Sequence, residues 1–149
     1  MPVDPVFLDL INYGICRVLN ERLGKEATEE IFREVGRVCY RRARERGLIE
    51  RREDPLDTLV EVARFLERAG YMERIEVTKV SENELVLDMY GVSVLESSIE
   101  LVESGMAPSH YMTNLMFAAL EEHGIAAELI DLGFDREGNH VREKWVLKR

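Results

Sequence analysis

The hydrophobic and polar positions change period midway along the chain, dividing it into a helical part and a mostly stranded part. Asp4 followed by Pro5 reads as an N-cap with proline at the first helical position. Val6, Phe7, Leu10, Ile11, Cys16, Val18 and Leu19 then recur at helical spacing up to Gly24. A second helix is expected over 25–46, with Ala27, Ile31, Phe32, Val35, Val38, Cys39 and Ala43 as its apolar stripe. Asp54 and Pro55 open a third, whose face is Leu56, Leu59, Val60, Ala63 and Leu66 and whose stop is Gly70. Beyond Gly70 the period is two: Ile75 and Val77, then Leu85, Leu87 and Met89, alternate with polar residues around a turn at 81–84. A short helix is expected at 98–103. Ser109 is read as the cap of a helix reaching about His123, with Met112, Leu115, Met116, Ala119 and Leu120 inward. Strands at 125–132 and 141–147 flank the polar loop 135–139. This order predicts one α+β domain over 1–149: N-terminal helices packed on an antiparallel sheet of about four strands in two hairpins, with a further helix between them.

Composition narrows the function classes. The chain has 149 residues, of which 46% are hydrophobic, and a net charge of −9. That length can bury a core without disulfides. The acidic balance disfavours nucleic acid as a partner. No apolar run reaches membrane length, so no membrane span is expected, and the N-terminus carries no signal-peptide pattern; the expected location is cytoplasmic. Cys16 and Cys39 form neither a disulfide framework nor a four-thiolate site and read as buried small hydrophobes. Charged residues dominated by Arg over Lys, with no Gln, point to a thermophile. The arginines between Arg41 and Arg52, diluted by Glu45 and Glu50, read as a solvated helix face. No phosphate loop, nucleophile elbow or H-E-x-x-H pattern occurs, so no catalytic residue is nominated.

Gly24-Lys25-Glu26 opening a long helix, Asp54-Pro55 before a helix ending in Gly70, and Ala107-Pro108-Ser109-His110-Tyr111 before a helix followed by Glu128-Leu129-Ile130-Asp131 resemble the 4-vinyl reductase domain family. That family is related to the TRAPP tethering subunits, and the resemblance covers roughly 23–149. It implies an apolar or aromatic small-molecule ligand. It also implies a zinc site in the C-terminal segment, where several members have Cys, then Glu and Cys, then Cys, and where this chain has His110, then Glu128 and Asp131, with His140 close to the last.

Imidazole and carboxylate suit Zn²⁺. Asp131 and His140 can share an ion if they pair directly across the final hairpin; if Phe134 pairs with His140 instead, the two point to opposite faces. Glu128 is a reserve ligand that needs a β-bulge to join Asp131. His123, beside Gly124, complements a helix C-terminus.

Met112, Met116, Phe117 and Trp145 are candidates to line an apolar pocket, and Gly14 and Gly36, inside the first two helices, would leave room for it. The expected function is therefore small-molecule binding or sensing, with zinc as a cofactor. A zinc-dependent enzyme and a ligand-free scaffold subunit are the alternatives. A homodimer is expected through the second helix, at Val38, Cys39, Tyr40 and Ala43, or through the third.

Overall fold

The computed structural model describes residues 3–149. Three helices come first: α1 (Pro5–Leu23), α2 (Lys25–Glu45) and α3 (Pro55–Arg68). The hairpin β1 (Arg74–Ser81) and β2 (Glu84–Tyr90) follows, then α4 (Leu95–Glu103), α5 (Tyr111–Glu122), and the second hairpin β3 (Ala126–Asp135) and β4 (His140–Lys148). The four strands form one antiparallel sheet in the order β1-β2-β4-β3, so the α+β architecture read from the periodicity is the one observed.

Capping chemistry explains the best-read boundaries. Asp4 Oδ1 accepts from Val6 N at 2.8 Å and Asp54 Oδ1 from Leu56 N at 2.7 Å, each satisfying an N–H that the first helical turn leaves free. The start of α5 differs from expectation. Its cap position is His110, in the left-handed region at φ 46°, with no side-chain cap. Ser109 is buried, and its hydroxyl has no hydrogen-bond partner among the described residues.

Helix α5 is the centre of the molecule. Met112 to Leu120 are buried without a break, because α2, α3 and the sheet cover the helix from different sides. The contact with α2 is made at Gly36, where an added Cβ would lie 2.6 Å from the Asn114 carbonyl oxygen. Gly36 therefore marks a helix–helix approach. Gly14 is exposed, with nothing near a built Cβ. Neither glycine leaves room for a ligand.

The α2 stripe is rotated from the one expected. Thr28, Phe32, Gly36, Tyr40 and Ala43 face inward, while Val38 and Cys39 are exposed. Tyr40 and Ala43 belong to the core, so the surface proposed there for a homodimer is already covered. The arginines of this region are ion-paired partly across elements, Arg44 to Glu122 at 3.1 Å and Arg52 to Glu61 at 2.9 Å. No described helix is long and apolar enough to cross a membrane.

On the sheet, the alternation sends Leu85, Leu87 and Met89 of β2, and Val141, Glu143, Trp145 and Leu147 of β4, toward the helices. The opposite face carries Asp88 beneath His140 and Arg142. His140 Nε2 lies 2.7 Å and Arg142 Nε 2.9 Å from Asp88 Oδ1. The His140 ring stacks on Tyr90 at 4.5 Å, and Arg74 sits 4.1 Å from the centre of that same ring. Burial pushes the Asp88 carboxyl up, but the hydrogen bonds from Arg142 and His140 outweigh it and hold it below the usual carboxylate range.

Two stability predictions follow from these contacts. Gly36→Ala should cost about 1–3 kcal/mol in urea unfolding, the usual penalty of overpacking, since the nearest neighbour is backbone that cannot swing away. Asp88→Asn should cost about 1–2 kcal/mol at pH 7. Because the folded-state pKa of Asp88 is depressed, its contribution is present above the unfolded value and is lost as pH falls through the folded one. The gap between wild type and Asp88→Asn should thus stay constant down to about pH 4 and narrow below it.

Candidate functional site

Glu143 is the one carboxylate on the inner face of β4, flanked there by Val141 and Trp145. Its side chain is 3% exposed. Thr113 Oγ1, on α5, lies 2.7 and 2.8 Å from the two carboxylate oxygens, and Trp145 Nε1 donates to Oε1 at 2.9 Å. One hydroxyl proton and one indole N–H leave part of the carboxylate's acceptor capacity unused. The nearest basic group is His110 Nδ1, 3.7 Å from Oε2. Among the described residues no Arg or Lys forms an ion pair with it. A carboxylate removed from water in this way is costly unless it is paired.

Glu143 lies in the wall of a partly open cavity of about 40 Å³ bounded by the sheet, the loop before β1, α4 and the first turn of α5. The rest of the lining is largely apolar: Met72, Met89, Leu132, Phe134 and Val141, with the phenols of Tyr71 and Tyr111. Burial pushes both phenol pKa values up, so these rings offer neutral O–H groups. His110 and Thr113 also line a second cleft of about 250 Å³ toward α2, where Arg33 lies 5.8 Å from the Phe117 ring. The two residues that face Glu143 thus separate two spaces.

The residues expected to hold zinc do not converge. His110 is on the inner side of the sheet against Glu143, and His140 is on the outer side against Asp88. Neither hairpin register expected from the sequence occurs, because His140 pairs with Asp135 and Phe134 with Val141. Asp131 is opposite Lys144, four residues from Asp135, or about 13 Å along the strand. A bulge between Leu129 and Asp131 does bring Glu128 onto the Asp131 face, but Glu128 is paired with Lys148 at 3.5 Å. No cluster of three metal-ligating side chains exists among the described residues. The expected zinc cofactor is accordingly withdrawn.

Of the candidate pocket residues, Met112 lines the cavity beside Glu143 and Phe117 the second cleft. Met116 and Trp145 are fully buried in the core, where Trp145 packs edge-on against Phe117 at 4.7 Å. His123 stands at the C-terminal cap of α5, but burial and the neighbouring Arg51 push its pKa down and disfavour the cation expected there, and its Nε2 meets Thr58 Oγ1 at 2.9 Å. Cys16 is enclosed, and burial pushes its thiol up to about 11, which keeps it an unreactive neutral thiol. Sequence reasoning missed Glu143, although its signal was present: strict alternation from Val141 through Trp145 to Leu147 puts residue 143 on the apolar face.

No protein-family profile and no curated protein matches the chain. Solved structures do. A structure from a study of heme distortion in the H-NOX family is 15% identical, covers 99% of this chain and 73% of its own, and superposes with a TM-score of 0.59. A mutant H-NOX domain of T. tengcongensis is 14% identical over 100% and 76%, with a TM-score of 0.59. An oxygen-binding H-NOX domain related to soluble guanylate cyclases is 17% identical over 87% and 65%, with a TM-score of 0.53. These likenesses establish a shared fold, and they replace the resemblance to 4-vinyl reductase and TRAPP proteins read from single residues.

Heme, which the neighbours' descriptions mention, does not fit the residues present here. Ligand pockets run roughly 300–1,000 Å³, and both cavities fall short of that range. The inner one has no cation for the carboxylates of a heme and already holds a buried carboxylate of its own. His110, its one imidazole, is turned to Glu143. The chain shares the fold of these structures, and the residues of its own interior do not fit heme.

Proposed function

We propose that this chain is a small-molecule-binding domain whose ligand is a compact hydrogen-bond donor, of the amine or amidine class, held in the cavity at Glu143. The carrying observation is the buried Glu143 carboxylate on an otherwise apolar wall, with spare acceptor capacity and only an imidazole nearby. A cavity of about 40 Å³ admits a group of a few heavy atoms, since a single water needs roughly 10–15 Å³ on this measure. A cationic or strongly donating head would complete the coordination of Glu143, with the faces of Tyr71 and Tyr111 beside it. Similarity in fold to H-NOX domains, one of them described as oxygen-binding, supports the small-molecule part of this reading. The donor class rests on this chain's own residues.

Thermal unfolding with methylammonium or guanidinium tests it. A ligand at a hundred times its Kd stabilises by about 2.7 kcal/mol, or roughly 5–10 °C for a domain of this size. Glu143→Gln, which keeps an acceptor for Thr113 and Trp145, should leave the unliganded midpoint nearly unchanged and abolish the shift. Absence of any shift in wild type, or an equal shift in Glu143→Gln, overturns the proposal. So does stoichiometric uptake of hemin with a Soret band, which the interior described here should not give.

A further inference from the structure

Helix α1 is amphipathic in the reverse sense. The residues it buries are Asn12, Cys16 and Asn20. Val6, Phe7, Leu10, Ile11, Ile15 and Val18 are between 44% and 75% exposed. The inward face is fixed by specific polar contacts. Asn12 Nδ2 donates to Ser97 Oγ at 2.8 Å, and Asn20 exchanges two hydrogen bonds with the Ala107 backbone at 2.8 and 2.9 Å. Asp9 Oδ1 accepts from Ser97 N at 3.1 Å. The helix cannot roll to hide its apolar side without breaking these contacts, so a contiguous hydrophobic face stands in solvent on a chain of charge −9.

Gly14 lies on the midline of that face, as the 3.6-residue repeat shows: the six apolar residues span half the circumference and Gly14 falls at its middle. A glycine inside a helix costs about 1 kcal/mol relative to alanine. Among the described residues nothing needs it, since a Cβ there would meet open space. A close approach by another backbone would. Gly14 is also the midpoint of α1, nine residues from each end.

Charge identifies the approaching surface. From 3 to 13 the charged residues are Asp4 and Asp9; from 15 to 25 they are Arg17, Glu21, Arg22 and Lys25. The first half is acidic and the second net basic. Asp9 is turned inward to Ser97 and Arg17 is ion-paired to Glu21 on the same helix, which leaves Asp4 at one end and Arg22 and Lys25 at the other. An antiparallel α1 pair crossing at Gly14 sets these ends against each other, with the helix dipoles also opposed. It is a self-complementary arrangement of the kind a twofold axis requires. A bilayer surface is the poorer occupant, because interfacial helices carry a lysine- and arginine-rich polar face, whereas Asp4, Asp9 and Glu21 balance Arg17, Arg22 and Lys25 here on a chain of charge −9.

We infer that α1 is the interface of a twofold dimer of this chain, with the two helices antiparallel and crossing at Gly14. Residues equidistant from Gly14 then face each other, so Leu10 packs on Val18 of the second copy.

Sedimentation equilibrium of the full chain tests this pairing. Wild type should run at twice the 17.2 kDa chain mass at tens of micromolar. Leu10→Glu and Val18→Lys should each weaken association at least about tenfold, with circular dichroism showing that both remain folded. Mixing the two variants should restore dimers, because Glu at 10 meets Lys at 18 only if the helices run antiparallel. A wild-type monomer overturns the inference, whether it binds vesicles, which would make a membrane the occupant, or binds nothing. A wild-type dimer indifferent to both variants, or a mixture that stays dissociated, overturns it as well.

Discussion

The burial of α5 from Met112 to Leu120 is the constraint from which the rest of the structure follows. A polar side chain on a buried stretch of helix must be answered from within the protein. Asn114 is answered by the Ser109 carbonyl at 3.0 Å, and Thr113 by Glu143. On one flank α2 can close over the helix only where it lacks a side chain, at Gly36. On the other, the sheet must offer an acceptor in the middle of an apolar face. The buried carboxylate and the buried glycine are two responses to one packing demand. The carboxylate's capacity beyond that demand gives the cavity its chemistry.

Elements with local signals were legible in the sequence. Asp-Pro starts, glycine stops and the switch from helical to alternating spacing locate the first three helices and both hairpins, because capping and alternation act over a few residues. Features set by distant contacts were not. Ser109 has the chemistry of a cap but is drawn into the interior, leaving His110 to turn the chain. His110 and His140 are a plausible ligand pair until register places them on opposite sides of the sheet, a difference that one residue of slip decides.

Helix α1 shows the same limit from another direction. Its apolar residues have helical spacing, and spacing alone assigns them to the core. The orientation is settled instead by Asn12 and Asn20, whose amides fit partners on the neighbouring segment that no periodicity encodes. Polar residues with fixed partners orient this helix more strongly than its hydrophobic stripe does. At identities of 14–17% the fold itself is recognisable from backbone geometry and not from shared residues.

Helix α4 joins features that lie on opposite sides of it. Ser97 is bonded to Asp9 and Asn12 of α1, and the next residue, Ser98, lines the cavity that holds Glu143. At its N-terminal end the hairpin tip is tied down by Asn139, which accepts from Val92 N at 2.9 Å and from Gly91 N at 3.0 Å. The strand segment carrying Leu132 and Phe134 is thereby anchored to the loop that leads into α4. The nine-residue α4 therefore lies between the cavity, at Ser98, and the buried face of α1, at Ser97. The same short helix thus supplies wall to the cavity and a seat to α1.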